Sequence, residues 1–157
     1  MSVIPKSTKR TKKPQTAIRI AVKSFEVEMP LEARVIRQGI RAVLALENRA
    51  VSGALTVCFV NDALMTDLNR RYLKKDCPTD VLAFDLGTKS KKSLTGDIVI
   101  CVDEAARNAR IYRTTTEHEL KLYAAHGLLH LLGYDDTSSR ETSIMRRKEK
   151  AYIGCFK

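Results

Sequence analysis

Two histidines, His126 and His130, lie four positions apart in the apolar segment that ends at Gly133. If that segment is helical, both imidazoles project from the same face, one turn apart. Glycine is the residue expected where a helix ends in a left-handed conformation and the chain reverses. We expect this reversal to bring Asp136 onto the histidines. The sequence therefore predicts a metal site made of His126, His130 and Asp136.

The predicted site is suited to zinc. Two imidazole nitrogens and one carboxylate oxygen are common zinc ligands, and three protein ligands leave one coordination position open. Water bound there would have its pKa lowered to about 7. We therefore predict one Zn2+ ion as the cofactor and His126 as the catalytic residue. The alternative is a pair of histidines without a metal, which would need a complete hydrogen-bond network beside the carboxylates.

The spacing of these three residues also resembles the zinc-binding helix and turn of metzincin proteases. In those proteases a glutamate after the first histidine is the general base, whereas this chain has Gly127. A metzincin-like metalloprotease is therefore a disfavoured alternative. We interpret Gly127 as leaving room for a bulky substrate over the metal.

Three ordered motifs, at residues 68–84, 96–100 and 126–136, resemble the signature of the YbeY family. The resemblance implies a single-strand-specific, metal-dependent endoribonuclease that matures the 3′ end of 16S rRNA and takes part in ribosome quality control. The implied partners are rRNA, or other single-stranded RNA, and the small ribosomal subunit. The implied zinc ligands are three histidines, of which two correspond to His126 and His130.

The chain departs from that family pattern at two positions. Asp136 stands where the family has its third histidine, which keeps a ligand oxygen but adds a negative charge and should make bound water less acidic. After Tyr72 the family usually has an arginine that helps at the active site, and this chain has Leu73. Nearby cations are weak candidates to bind the substrate instead, with solvated helix charges as the alternative: Arg70, Arg71, Lys74 and Lys75.

Three acidic residues are candidates for supporting roles. Asp80 and Asp135 are each placed to orient a liganding histidine from outside the ligand set. Glu119 lies seven residues before His126, on the same helical face, and is a weak candidate for the general base. We expect His118, near the exposed start of that helix, to be a surface histidine.

The elements that position these residues follow from periodicity and capping signals. We predict an α+β single domain, in the order β-α-β-α-β-β-α-α-α, with a mixed four-stranded sheet packed with helices around a central metal-bearing helix. Asn61 is a predicted N-cap, and Ser138 with Glu141 is a predicted capping box. Further expected boundaries are Pro30 opening the first helix, Pro78 stopping the second and Asp103 capping the third.

Composition limits the class of protein. A chain of 157 residues with 44% hydrophobic residues can bury one core, which we place in a YbeY-like metallohydrolase domain at residues 17–157. Residues 1–16 are basic and poor in apolar side chains, so we expect a disordered tail. No apolar run is long enough to span a membrane. Four dispersed cysteines suit a reducing compartment, and we expect a cytoplasmic protein.

The formal net charge of +10 is unevenly distributed. Residues 1–25 hold seven Lys or Arg and no acid, and residues 140–157 hold six against two acids. Basic ends suit a polyanionic partner such as RNA, because each cation near a phosphate releases condensed counterions. A second alternative therefore stays open: a non-catalytic ribosome- or rRNA-binding factor with a structural metal.

Overall fold

The structure, a computed structural model, describes residues 17–87 and 90–157. It confirms the predicted order of strands and helices and adds a short 3-10 turn at the end. The predicted disordered tail, residues 1–16, lies outside the described residues. The elements are β1 (Ala17–Phe25), α1 (Ala33–Leu46), β2 (Ser52–Val60), α2 (Asp62–Leu73), β3 (Val81–Asp85), β4 (Ser93–Cys101), α3 (Val102–Tyr112), α4 (Thr116–Leu131), α5 (Ser139–Tyr152) and the 3-10 turn (Ile153–Cys155).

Four strands form one mixed sheet in the order β1-β2-β4-β3. Strands β1, β2 and β4 run parallel, and β3 pairs antiparallel with β4 as an outermost strand. In β1 the buried side chains alternate at Ile18 and Ile20, as a half-buried strand requires. The α+β fold class and the mixed four-stranded sheet are therefore confirmed.

Two apolar cores lie on opposite faces of this sheet. Ile98 and Ile100 of β4 belong to the main core, to which α1, α4 and α5 contribute. Val99 and Cys101 point the other way and pack with Met65 of α2 in a smaller core. Because successive side chains of a strand alternate between faces, both faces of β4 are buried along these four residues.

Helix α4 is the centre of the main core, as its apolar sequence predicts. Eight of its 16 residues are buried. Its first turn is capped by Thr115, whose hydroxyl accepts a hydrogen bond from the N–H of His118 at 3.0 Å. The segment that carries the histidines is therefore held on several sides rather than lying on the surface.

Gly127 sets how closely α4 lies against the sheet. A Cβ atom at this position would be 2.6 Å from Cγ2 of Ile98 and 3.3 Å from Cγ2 of Val81. A side chain at this position would therefore overlap the sheet. Gly127 also lines a cleft together with His126 and His130, so the interpretation of this residue as room for a substrate stays a prediction.

Two helix boundaries differ from expectation. Helix α1 begins at Ala33 rather than at Pro30, because Glu32 is still extended, with φ −59° and ψ 128°. Helix α2 ends before Pro78 is reached, because Lys74 adopts a left-handed conformation with φ +55°. In both cases the local backbone conformation, rather than the nearby proline, sets the end of the helix.

The capping predictions are confirmed at two helices and wrong at one. Asn61 caps α2, and Ser138 with Glu141 forms the predicted capping box of α5. Asp103 does not cap α3. Its carboxylate accepts a hydrogen bond from the N–H of Asp62 at 2.8 Å, so it stabilises the start of α2 instead.

Glu47, directly after α1, ties α5 to the turn that follows α4. Its Oε2 accepts a hydrogen bond from the hydroxyl of Tyr134 at 2.7 Å. Its Oε1 accepts from Nζ of Lys148 at 2.6 Å and from the hydroxyl of Tyr152. Burial alone would raise the pKa of Glu47, but these hydrogen bonds outweigh burial and lower the pKa below its usual 4.5.

Two further findings bear on the class of protein. Among residues 17–87 and 90–157, no helix is both long enough and apolar enough to cross a membrane. The four cysteines are all free. Cys77 is exposed and Cys101 is buried, so the thiols do not share one environment.

We predict that Gly127→Ala destabilises the fold. Alanine is favoured over glycine in a helix by about 1 kcal/mol, but its methyl group would overlap Ile98, and overpacking typically costs about 1–3 kcal/mol. Chemical denaturation should show a lower midpoint for this variant. Gly154→Ala is the control, because nothing lies within 4 Å of a Cβ there. A Gly127→Ala protein as stable as wild type would refute the close packing.

Glu47→Gln should lower the free energy of unfolding at pH 7 by about 2 kcal/mol, as expected for hydrogen bonds to a buried charge. Because the folded-state pKa of Glu47 is lowered, its contribution is present above pH 4.5 and is lost as pH falls through the folded pKa. Urea denaturation at several pH values should show the deficit shrinking below pH 4.5. Glu32→Gln, at a carboxylate that is 73% exposed, is the control. A deficit that does not depend on pH would count against this account.

Candidate metal centre

Helix α4 presents both histidines on one face, as their spacing predicts. The Nε2 atoms of His126 and His130 face each other at 2.9 Å, and the ring centroids are 4.5 Å apart. The side chains are partly accessible, at 23% for His126 and 30% for His130. A single ion can therefore reach both nitrogens from solvent.

The turn after α4 carries Asp136 back over the histidines. Gly133 has φ +98°, and its N–H donates to the carbonyl of His130 at 3.0 Å. The N–H of the next residue, Tyr134, donates to the carbonyl of Leu129 at 3.0 Å. These two bonds form the Schellman motif that ends helices at a left-handed glycine. As predicted, the reversal places Oδ2 of Asp136 near both histidines, 3.8 Å from each Nε2.

The three donor atoms fit a single zinc ion. The pairwise distances among them are 2.9, 3.8 and 3.8 Å. Ligands held tetrahedrally at zinc-bond lengths are about 3.4 Å apart, a value between the observed distances. Two nitrogens and one oxygen leave a fourth position for a reacting group. His126, His130 and Asp136 are therefore suited in both chemistry and spacing to hold the ion.

Glu149 of α5 is a site residue that the sequence argument missed. Its Oε1 contacts Nδ1 of His126, and its side chain is only 14% exposed. A carboxylate on one ring nitrogen fixes the tautomer, so that Nε2 presents a lone pair to the metal position. A signal was present in the sequence: Glu149 lies four residues after Met145 and three before Tyr152, both of which are buried.

Negative charge surrounds the histidine pair. Burial alone would lower the pKa of His126, but the hydrogen bond and charge of Glu149 oppose burial, and the charges of Asp136 and Asp80 add to this effect, so the pKa is raised. A group of carboxylates around two imidazoles favours any cation bound between them. A proton and a metal ion therefore compete for the same nitrogens.

The two acids predicted to orient a histidine occupy different places. Asp80 lines two hollows together with His126, and its Oδ1 accepts a hydrogen bond from the N–H of Val81 at 2.8 Å. Asp135 accepts from the N–H of Asp136 at 2.8 Å. Asp135 thus stabilises the turn that carries Asp136, whereas Asp80 acts on His126 through its charge.

Glu119, the general-base candidate, lies away from the three donor atoms. It is 3% exposed and accepts a hydrogen bond from the hydroxyl of Thr114. Seven residues of helix separate it from His126, which corresponds to about 10 Å along the axis. Its contacts are those of a buried residue that stabilises the start of α4. His118 is exposed, as expected.

The four cations predicted to bind substrate divide into two pairs. Arg70 forms an ion pair with Asp76 at 2.5 Å, and Arg71 forms one with Asp67 at 3.0 Å. Lys74 and Lys75 are exposed beyond the end of α2. Within the described part of the chain, neither lysine forms an ion pair. Leu73, at the position of the missing arginine, is 52% exposed.

Two clefts meet at His130, and we name them by their chemistry. The aromatic cleft has a volume of about 520 Å³, within the roughly 300–1,000 Å³ usual for ligand sites. Its lining includes Tyr72, Leu73, Asp80, Phe84, His126 and His130. The basic cleft has a volume of about 340 Å³. Its lining includes Arg49, Asp85, Ser90, Lys91, Ser93 and His130.

Arg49 is fixed in the wall of the basic cleft. Its Nη2 donates to the carbonyl of Leu132 at 3.2 Å, at the end of α4. This bond holds the guanidinium beside His130, in the same cleft as Lys91. The structure therefore places cationic side chains beside His130, from a direction that the sequence did not indicate.

A second group of possible ligands, Asp62, Cys101 and Asp103, lies where β4 ends, and Cys101 packs on the face of the sheet opposite the main core. Arg107 donates two hydrogen bonds of 2.7 Å to the carboxylate of Asp62. Burial raises the pKa of Cys101 to about 12. The contacts of Asp62 are those of an ion pair between α2 and α3.

Comparison with known proteins adds a family and a fold. The sequence matches the family model described as Endoribonuclease YbeY over residues 17–157. It is 39% identical to Endoribonuclease YbeY of Carboxydothermus hydrogenoformans over 78% of this chain and 84% of that protein. It is 36% identical to Endoribonuclease YbeY of Pelotomaculum thermopropionicum over 76% of this chain and 83% of that protein. A Thermotoga maritima protein solved in solution has a TM-score of 0.62 and 27% identity over 87% of this chain and 88% of that one.

We predict that Glu149→Gln lowers the affinity for Zn2+ by about 10- to 100-fold, the usual effect of removing a carboxylate behind a liganding histidine. Isothermal titration calorimetry of metal-stripped protein with Zn2+ measures this affinity. Glu117→Gln is the control, since Glu117 pairs with Lys121 on the surface of α4 and should leave the affinity unchanged. Equal affinities for all three proteins would rule out a role for Glu149 at the metal centre.

Proposed function

This chain belongs to the YbeY endoribonuclease family, and from that premise we propose that it is a zinc-dependent hydrolase that cuts single-stranded RNA. The observation that carries the proposal is the convergence of His126, His130 and Asp136 where two clefts meet. The net charge of +10 supports a polyanionic substrate.

The chain's own residues hold and orient the reacting groups. His126 and His130 would bind zinc through Nε2 and Asp136 through Oδ2, and zinc bound there supplies a Lewis acid that acidifies water and polarises a phosphate. Glu149 accepts a hydrogen bond from the N–H of Nδ1 of His126, which leaves Nε2 as the nitrogen that faces the metal position. The bond from Tyr134 to Glu47 anchors the turn that carries Asp136.

Cations on both sides of the ligands would neutralise the phosphates of the substrate. Arg49 and Lys91 line the basic cleft beside His130 and supply positive charge in place of the arginine that Leu73 replaces. Of the cations proposed from the sequence, Lys74 and Lys75 are better placed than Arg70 and Arg71, whose charges are already paired.

The setting we propose is the cytoplasm, with 16S rRNA 3′-end maturation and ribosome quality control as the processes and the small ribosomal subunit as the partner. Membership of the YbeY family supports an RNA substrate. Four free cysteines support a reducing compartment.

RNA cleavage should be lost when the ligand set is broken. We expect wild-type protein to cut a single-stranded RNA, and His126→Ala or Asp136→Ala to cut it roughly 100-fold more slowly, because each removes a donor that holds the metal. His118→Ala is the matched control, because His118 is exposed at the far end of the same helix. Cleavage is followed on gels, and zinc content is measured by mass spectrometry on the same samples.

The outcome separates the proposal from its two rivals. Stoichiometric zinc without RNA cleavage, together with a loss of stability after chelation, would favour a non-catalytic ribosome-binding factor with a structural metal. Chelator-sensitive cleavage of peptides would favour a metalloprotease. Cleavage of RNA by His126→Ala at the wild-type rate would end the proposal.

A further inference from the structure

Tyr72 is an exposed aromatic residue in the wall of the aromatic cleft. Its relative accessibility is 63%, although its ring is large and apolar. We propose that Tyr72 is a stacking subsite for one unpaired base of the RNA, which rests on the proposed function and adds the feature that selects single strands. Its occupant is a nucleobase next to the phosphate held at the metal centre.

The ring of Tyr72 is held in place without being covered. Phe84 contacts it in an edge-to-face arrangement, with ring centroids 4.9 Å apart and planes at 64°. Helix α2 ends at Leu73, one residue after Tyr72, and the next residue, Lys74, has a left-handed backbone conformation. Asn69, which is 1% exposed, donates to the carbonyl of Cys77 at 2.7 Å and fixes the loop beyond it. An aromatic ring that is fixed and still exposed is a ready stacking platform.

The platform lies in the same cleft as the metal ligands. Tyr72 and Leu73 form one part of the wall of the aromatic cleft, and His126 and His130 form another. The cleft has a volume of about 520 Å³, so a base on Tyr72 and a phosphate at the histidines can belong to one RNA segment.

The surrounding charge favours RNA over a peptide. Lys74 and Lys75 follow Tyr72 closely in the chain, are exposed, and form no ion pair within the described residues. Binding sites for single strands combine cations that follow the backbone with aromatic rings that take the bases. A peptide would instead pair with the outer edge of β3, which is only five residues long. Binding of a peptide in that way would not use the unpaired lysines.

The subsite accounts for selection of single strands and for weak sequence preference. A base within a duplex already has both faces stacked, so it cannot lie on Tyr72 without being unpaired. Stacking accepts every base because every base has a π-face. We therefore expect the chain to discriminate between paired and unpaired RNA more strongly than between bases.

The absence of tryptophan from the chain makes a direct test possible. Tyr72→Trp introduces a single fluorescent reporter at the subsite, and Tyr112→Trp places a matched reporter at a residue that is 67% exposed at the end of α3. Each full-length protein, as purified, is titrated with a short single-stranded RNA, with the same RNA in a duplex, and with an abasic ribose-phosphate oligomer of equal length. Cleavage is monitored in the same samples.

We expect the single-stranded RNA to quench the indole fluorescence of the Tyr72→Trp variant and to leave that of the Tyr112→Trp variant unchanged. The abasic oligomer and the duplex should bind the Tyr72→Trp variant about tenfold more weakly, the order expected for loss of one stacked base. In cleavage assays, Tyr72→Ala should raise KM about tenfold with a smaller change in kcat, and Tyr72→Phe should restore the wild-type KM, since stacking needs the ring and not the hydroxyl.

Failure of this inference is distinguishable from failure of the proposed function. If RNA is cut in a His126-dependent manner but the abasic oligomer quenches as well as RNA does, the stacking subsite is refuted and the enzyme stands. If Tyr72→Phe is as impaired as Tyr72→Ala, the hydroxyl rather than the ring acts, and stacking is again refuted. If base-dependent quenching is seen without any cleavage, the subsite stands and the catalytic proposal falls. Quenching of the Tyr72→Trp variant by an unstructured peptide alone would assign the cleft to a protein partner and overturn the subsite.

Discussion

Helix α4 approaches the sheet so closely at Gly127 that Ile98 and Val81 fill the space of a side chain there. The metal centre takes its position from this contact. His126 precedes Gly127 directly and is turned by about 100° around the helix, so it emerges at the rim of the contact rather than beneath it. His130 follows one turn later on the same face. The three residues between the histidines are buried and hold this part of α4 against the core. Both imidazoles are therefore held in place while they stay accessible to solvent.

Around that helix the fold collects acids whose charges favour a cation at the histidines. Glu149 reaches His126 from α5, and Asp136 reaches it from the turn after α4. Their effect is visible in the raised pKa of His126. A site of this kind stabilises the protein least when it is empty of cations, so metal binding and folding are expected to be linked.

The two departures from the family pattern act in the same electrostatic direction. Relative to the pattern that the resemblance implies, Leu73 would remove a positive charge from the aromatic cleft, and Asp136 would add a negative charge beside the histidines. The proposed metal centre would then be more negative, and cations farther out would matter more to the proposed RNA substrate. Arg49 and Lys91 occupy that outer position in the basic cleft.

The sequence by itself determined the features that depend on neighbouring residues. The pairing of His126 with His130 follows from the pitch of a helix, and the return of Asp136 follows from the left-handed glycine that ends it. Only the tertiary structure decided which distant groups meet them. Glu149 lies 23 residues from its histidine, and Tyr134 lies 87 residues from Glu47. Local periodicity specifies which face of a helix is buried, but it does not specify the helix against which that face packs. The physical reason is that the pitch of each element is set by its own backbone, whereas contacts between elements are set by how their side chains fill the shared core.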